Sequence, residues 1–132
     1  MREIIFRGKN DFTNEWYYGY LMNKPQYGLC IEFVDEKDVQ NNIVVNPNTI
    51  GQFTGLTDKN GQRIFEDDIV MKRTYNGKKP MRVVFSFGCF HCGFGGGSST
   101  ASHPYTLDDK QIEVIGNIHD NPDLLKQKED HV

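Results

Sequence analysis

Apolar and aromatic residues gather along this chain in short runs broken by Gly, Asn, Asp and Pro, the pattern of strands and turns rather than of long helices. The runs predict strands at Glu3 to Arg7, Glu15 to Met22, Leu29 to Val34, Asn42 to Val45, Ile50 to Thr54, Ile69 to Tyr75, Met81 to Phe87 and Gln111 to Ile118. Where a run alternates it marks a half-buried sheet: Trp16, Tyr18 and Tyr20 share one face of a strand, and Tyr17, Gly19 and Leu21 the other. Short strands this closely spaced cannot build a helical or parallel-sheet core. The expected fold is mainly β, an antiparallel barrel- or sandwich-like domain closed by a short C-terminal helix.

That helix is signalled by Asn121 as cap and Pro122 at the first helical position, with Asp123 at the positive end of the dipole and Lys126 and Lys128 at the negative end. It is expected to end within Gln127 to Val132. Asp58-Lys59-Asn60-Gly61 and Tyr75-Asn76-Gly77-Lys78 each contain Asn-Gly, which favours a type I′ hairpin because both residues tolerate positive φ. Gly93 to Ser102 reads as a flexible loop too short to link domains. With 132 residues and no internal repeat, a single domain over 1–132 is expected.

Composition narrows the setting. The 37% hydrophobic content supports an ordered core, and no apolar run approaches the roughly 20 residues that cross a bilayer. Met1-Arg2-Glu3-Ile4 lacks the apolar stretch of a signal peptide, and Cys30, Cys89 and Cys92 make a poor disulfide framework. The expectation is a protein that stays in the cytoplasm of the cell that makes it, without membrane partners. The net charge of -3 is uneven: between Asp68 and Asp108 lie Lys72, Arg73, Lys78, Lys79 and Arg82 and no acid, leaving ten basic against eighteen acidic residues elsewhere. Charge separated in this way can steer a partner.

The block from Ile50 to Val70, with Gly51, Gly55, Asp58, Gly61 and Asp68 as its marks, resembles the central signature of the YopX family. Phe6-Arg7-Gly8-Lys9, Glu15 to Leu21 and Glu113 to Pro122 agree with it, so the resemblance spans nearly the whole chain. It implies a small β-rich protein carried on phage and prophage genomes, hence a bacterial host for the cytoplasmic setting, and no particular activity. Asp67 stands where the family is expected to have glycine; aspartate tolerates a left-handed conformation better than most residues, so the turn should survive. The signature glycines and Asp58, Glu66, Asp67 and Asp68 read as turn and cap residues. The alternative is a carboxylate cluster for a hard cation.

Three constellations could carry chemistry. Cys89-Phe90-His91-Cys92 has the spacing of a zinc knuckle, with His103 or Cys30 as further ligands, although one Cys-x-x-Cys without a second pair is a weak signal and the expected cofactor is none. Lys72, Lys78, Lys79 and Arg82, with Phe85, Phe87, Phe90 and Phe94 nearby, would suit nucleic acid or an acidic partner; Phe85 and Phe87 share a face and read as core. His119, beside Asp120 and ahead of the helix cap, reads as an exposed or capping histidine. No nucleophile, base and oxyanion donor converge in the pattern, and no Gly-Lys-Ser/Thr follows the glycines. The expected function is a non-enzymatic binding or regulatory module whose partner is a protein or a second copy. A nucleic-acid-binding β domain and a zinc protein are the alternatives.

Overall fold

In the computed structural model the described residues are 3–94, 105–107 and 110–125. Strand-forming runs and turn residues produce two compact units, Met1–Phe53 and Thr54–Val132. The strands make two antiparallel sheets, ordered β4-β3-β2-β1-β5-β6 and β10-β7-β8-β9.

The first unit holds β1 (Phe6–Lys9), β2 (Trp16–Lys24), β3 (Gly28–Val34), β4 (Gln40–Val44) and the start of β5 (Gly51–Thr57). Side-chain oxygens make its turns. Asn10 Oδ1 accepts from the amides of Phe12 and Thr13, and Asp35 Oδ1 accepts from Lys37 and Val39, closing the β3–β4 hairpin. The Val39 amide and the Asn41 side chain, helped by the Lys37 amide and opposed by burial, hold the Asp35 carboxyl below its ordinary pKa. Gly19 is required where β2 meets β3, because a β-carbon there would lie 2.1 Å from the Glu32 carbonyl oxygen.

The second unit contains β6 (Arg63–Phe65), β7 (Asp68–Thr74), β8 (Gly77–Ser86), β9 (Cys89–Gly93) and β10 (Glu113–Asn117). Val70 pairs with Met81 and Val83 with Cys92, so period-two alternation turns all four toward one core, completed by Ile64, Leu107 and Ile112. Asp58 fixes the β5–β6 hairpin. Its Oδ1 accepts from the amides of Asn60 (2.8 Å) and Gln62 (2.9 Å), and its Oδ2 from Val114 of β10 (3.0 Å).

Several sequence expectations are corrected. Neither sheet closes into a barrel. The C-terminal helix is, in the described residues, one 3-10 turn, Pro122–Leu125, because Asn121 turns its Oδ1 back to the Asn117 amide (3.3 Å) instead of capping forward. The Asn-Gly turns are not type I′. At Asn60-Gly61 and Asn76-Gly77 only the glycine has positive φ, and the Asp58 carbonyl accepts from the Gly61 amide, giving a three-residue loop with a left-handed glycine at its end. The type I′ geometry occurs instead at Phe87-Gly88, with φ of 53° and 80°, between Ser86 and its partner Cys89. Strands β6 and β9 were not anticipated: β6 is only three residues long, and Cys, His and Gly conceal β9.

Candidate functional site

Every second residue of the first unit's sheet projects to one face. Register places Arg7 opposite Tyr18, Tyr20 opposite Glu32, Glu32 opposite Asn42, and Cys30 opposite Val44. At one end of this face the Arg7 guanidinium lies 4.7 Å from the centre of the Trp16 ring, and the Lys9 ammonium 5.9 Å. Beyond them the face opens: Tyr18 is 49% exposed and Tyr20 65%. Two grooves lie on it. One, about 470 Å³, is lined by Tyr18, Tyr20, Glu32, Phe33, Val34 and Gln40 among others. The second, about 550 Å³, lies among Phe12, Lys24, Tyr27, Cys30, Asn42 and Val44. Each has a single charged side chain in its lining, Glu32 in the first and Lys24 in the second. A concave surface of aromatic rings with few placed polar groups is how ligands and peptide side chains are held. The Trp16, Tyr18, Tyr20 alternation is visible in the sequence, but the second groove also needs Phe12 and Tyr27 from loops, which no periodicity marks.

The signature carboxylates are occupied individually. Asp58 is buried and holds three amides, and Asp68, 2% exposed, accepts the Phe65 amide at 2.7 Å. Asp67 takes the left-handed conformation expected of it, with φ of 70°. Its Oδ1 accepts from Arg82 Nε (3.1 Å) and Nη2 (2.9 Å), and His119 Nε2 lies 3.6 Å from its Oδ2. His119, expected to be exposed or capping, is instead part-buried beside this ion pair. Gly51 pairs with Arg7 on β1, while Gly55 and Gly61 have φ of 90° and 81°.

The basic residues separate. Lys72 is buried on the core side of β7 opposite Lys79, whereas Arg73 and Lys78 face each other exposed on the other side. Arg82 is taken up by Asp67. Phe85 and Phe87 are not core: they are 53% and 84% exposed, Phe87 standing at the tip of the β8–β9 turn. On β9, Cys89 and Cys92 are three residues apart on a strand and point to opposite faces. Cys89 is exposed, and Cys92 is buried with its Sγ 3.6 Å from the Tyr105 carbonyl. His91 Nε2 lies 3.1 Å from Ser86 Oγ, and Cys30 is buried in β3. His103 lies outside the described residues. Among the described residues no three His, Cys, Asp or Glu side chains group so as to hold a metal ion.

The model of the family described as YopX protein matches residues 5–126. The chain belongs to the YopX family. Among solved structures it resembles protein EF1440 from Enterococcus faecalis, at 22% identity and a TM-score of 0.56, over 95% of this chain and 99% of that one. At that identity the likeness shows a shared fold and nothing further. No curated protein matches the chain. Among the described residues no helix is long and apolar enough to cross a membrane.

Proposed function

We propose that this YopX-family chain is a non-enzymatic binding or regulatory protein, encoded by a phage or prophage, working in the bacterial cytoplasm, and that its partner is a protein. The observation that carries this reading is the exposed aromatic face of the first unit with its two grooves. Exposed rings gathered around concave surface of this size are characteristic of recognition surfaces. The polar groups that could have served catalysis have structural employment: Asp58 and Asp68 hold amides, Asp67 pairs with Arg82, and His91 bonds Ser86. A protein partner is preferred to nucleic acid because the basic residues divide between two faces and Arg82 is engaged.

The test is affinity capture from cells that express the protein, with wild type and Tyr18→Ala/Tyr20→Ala as baits. A protein retained by wild type and released by the variant is expected. Retention of nucleic acid by wild type, or of an identical set by both baits, would overturn the reading.

A further inference from the structure

Strand β4 forms one edge of its sheet, and the phase of its hydrogen bonding decides what that edge offers. The Val45 amide donates to the Leu29 carbonyl (3.1 Å), and antiparallel pairing repeats every second residue, so Asn41 and Ile43 bond β3 while Gln40, Asn42 and Val44 turn their main-chain groups outward. The Val44 carbonyl is taken by Asn10 Nδ2 at 2.7 Å, and the next outward amide, Asn46, donates to the Lys9 carbonyl at 2.8 Å. Gln40 and Asn42 are exposed, and their outward N–H and C=O groups form a short row along the edge. Sheet edges are ordinarily blunted by charge, proline or a bulge. Gln40-Asn41-Asn42-Ile43-Val44 has no charge and no proline, and its register with β3 runs unbroken over five pairs.

The same even-numbered residues face the grooves. Gln40 lines the first, and Asn42 and Val44 line the second. An antiparallel strand added to β4 and bonded to the open groups of Gln40 and Asn42 would therefore carry the side chain opposite Val44 toward Phe12 and Tyr27, and the side chain four residues later, opposite Gln40, toward the groove that Gln40 lines with Glu32, Tyr18 and Tyr20. Four residues of strand span about 13 Å. The charge in each groove states what fits. Glu32 lies opposite Tyr20, with its Oε1 accepting from Gln40 Nε2; its carboxylate favours a cation, which gains from both the carboxylate and the ring faces. The second groove, with exposed Phe12 and Tyr27 and already positive through Lys24, favours an apolar side chain.

We propose that β4 accepts an extended peptide as an added antiparallel strand, the peptide bearing an aromatic or aliphatic residue followed four positions later by arginine or lysine. This names the partner chemistry of the binding function proposed above and rests on it. Main-chain bonds supply affinity in such strand addition, and alternate side chains in pockets supply selection.

Fluorescence anisotropy with a labelled Thr-Phe-Thr-Thr-Thr-Arg-Thr peptide tests it on the full chain. Wild type should bind, and Glu32→Gln should weaken binding about fivefold. Asn42→Pro, which removes an outward N–H that β3 does not use, should leave the circular dichroism spectrum unchanged and weaken binding at least about tenfold. Glu32→Arg should recover binding to the peptide carrying Glu in place of Arg. Equal affinity in Asn42→Pro, equal affinity for the Arg and Glu peptides, or no binding at millimolar peptide would overturn the proposal. So would a concentration-dependent dimer abolished by Asn42→Pro, which would assign the edge to a second copy. Capture separates the two readings: a protein retained by Asn42→Pro but lost in Tyr18→Ala/Tyr20→Ala keeps the binding function and removes strand addition.

Discussion

Asp58→Ala removes one carboxylate from three main-chain amides. The amides of Gln62 and Asn60 meet one oxygen and that of Val114 the other, at 2.8 to 3.0 Å, and the residue is only 6% exposed. Asn60 and Gln62 are exposed turn residues where water replaces part of the carboxylate, so the loss amounts to about two bonds rather than three. At roughly 1.5 kcal/mol for each charge-assisted bond, the variant should lose about 3 kcal/mol. For a chain of this length that lowers Tm by roughly 10 °C. Asp58→Asn keeps one acceptor but sets an amide NH2 against a backbone N–H, and should lose about 2 kcal/mol. Acid supplies a second arm. Burial alone raises the Asp58 carboxyl pKa, but the amides of Val114, Gln62 and Asn60 together with Lys59 outweigh it, so the folded pKa lies below the ordinary value. A depressed pKa means the folded state binds the proton more weakly than the unfolded chain. The contribution is therefore complete above the unfolded value of about 3.9 and is lost as pH falls through the folded one. Urea denaturation at a series of pH values should show a wild-type to Asp58→Ala gap that is constant near neutrality and narrows in acid. A midpoint for Asp58→Ala equal to wild type, or a gap that widens in acid, would refute the reasoning.

Gly61→Val should lower stability by about 1 kcal/mol or more in thermal unfolding; its φ of 81° with open space around it makes the backbone the whole cause. Asp67→Gly should fall within about 0.5 kcal/mol of wild type, because relief of left-handed strain offsets loss of the Arg82 pair, whereas Asp67→Ala keeps the strain, loses the pair and should cost about 1 to 2 kcal/mol in denaturant melts. A water-soluble thiol reagent should titrate one cysteine per native chain, Cys89, and all three in denaturant, since Cys30 and Cys92 are buried.

The sequence marked most strands because period-two alternation and turn residues are local signals, as in Trp16, Tyr18 and Tyr20. It also marked Asp67, where backbone preference alone decides. What it could not mark depends on partners distant in the chain. Asp58 was recognised as a turn residue, but its grip on Val114 joins residues 56 apart. Asn121 has every local mark of a helix cap, and only the bulged end of β10 shows why its oxygen turns backward: Gly116 leaves room for it, where a β-carbon would sit 2.5 Å away. Lys72 belonged to a basic cluster by sequence and is buried by register. The grooves were hidden for the same reason, since Phe12 and Tyr27 are loop residues whose positions are set by Asn10 and by the turn before Gly28.

Phe87 holds a left-handed backbone that asparagine adopts with less strain, and it leaves an aromatic ring almost wholly in water. Phe87→Asn would thus relieve up to about 1 kcal/mol and reduce stickiness at a hairpin tip, so any procedure that optimises this protein for expression or heat resistance will select it early. The same substitution erases an exposed ring two residues from Phe85, whose own ring meets that of Phe90 edge-on at 4.9 Å. Laboratory stabilisation and retention of surface character are opposed at this one position, and a stabilised variant should be built with residue 87 left as it stands.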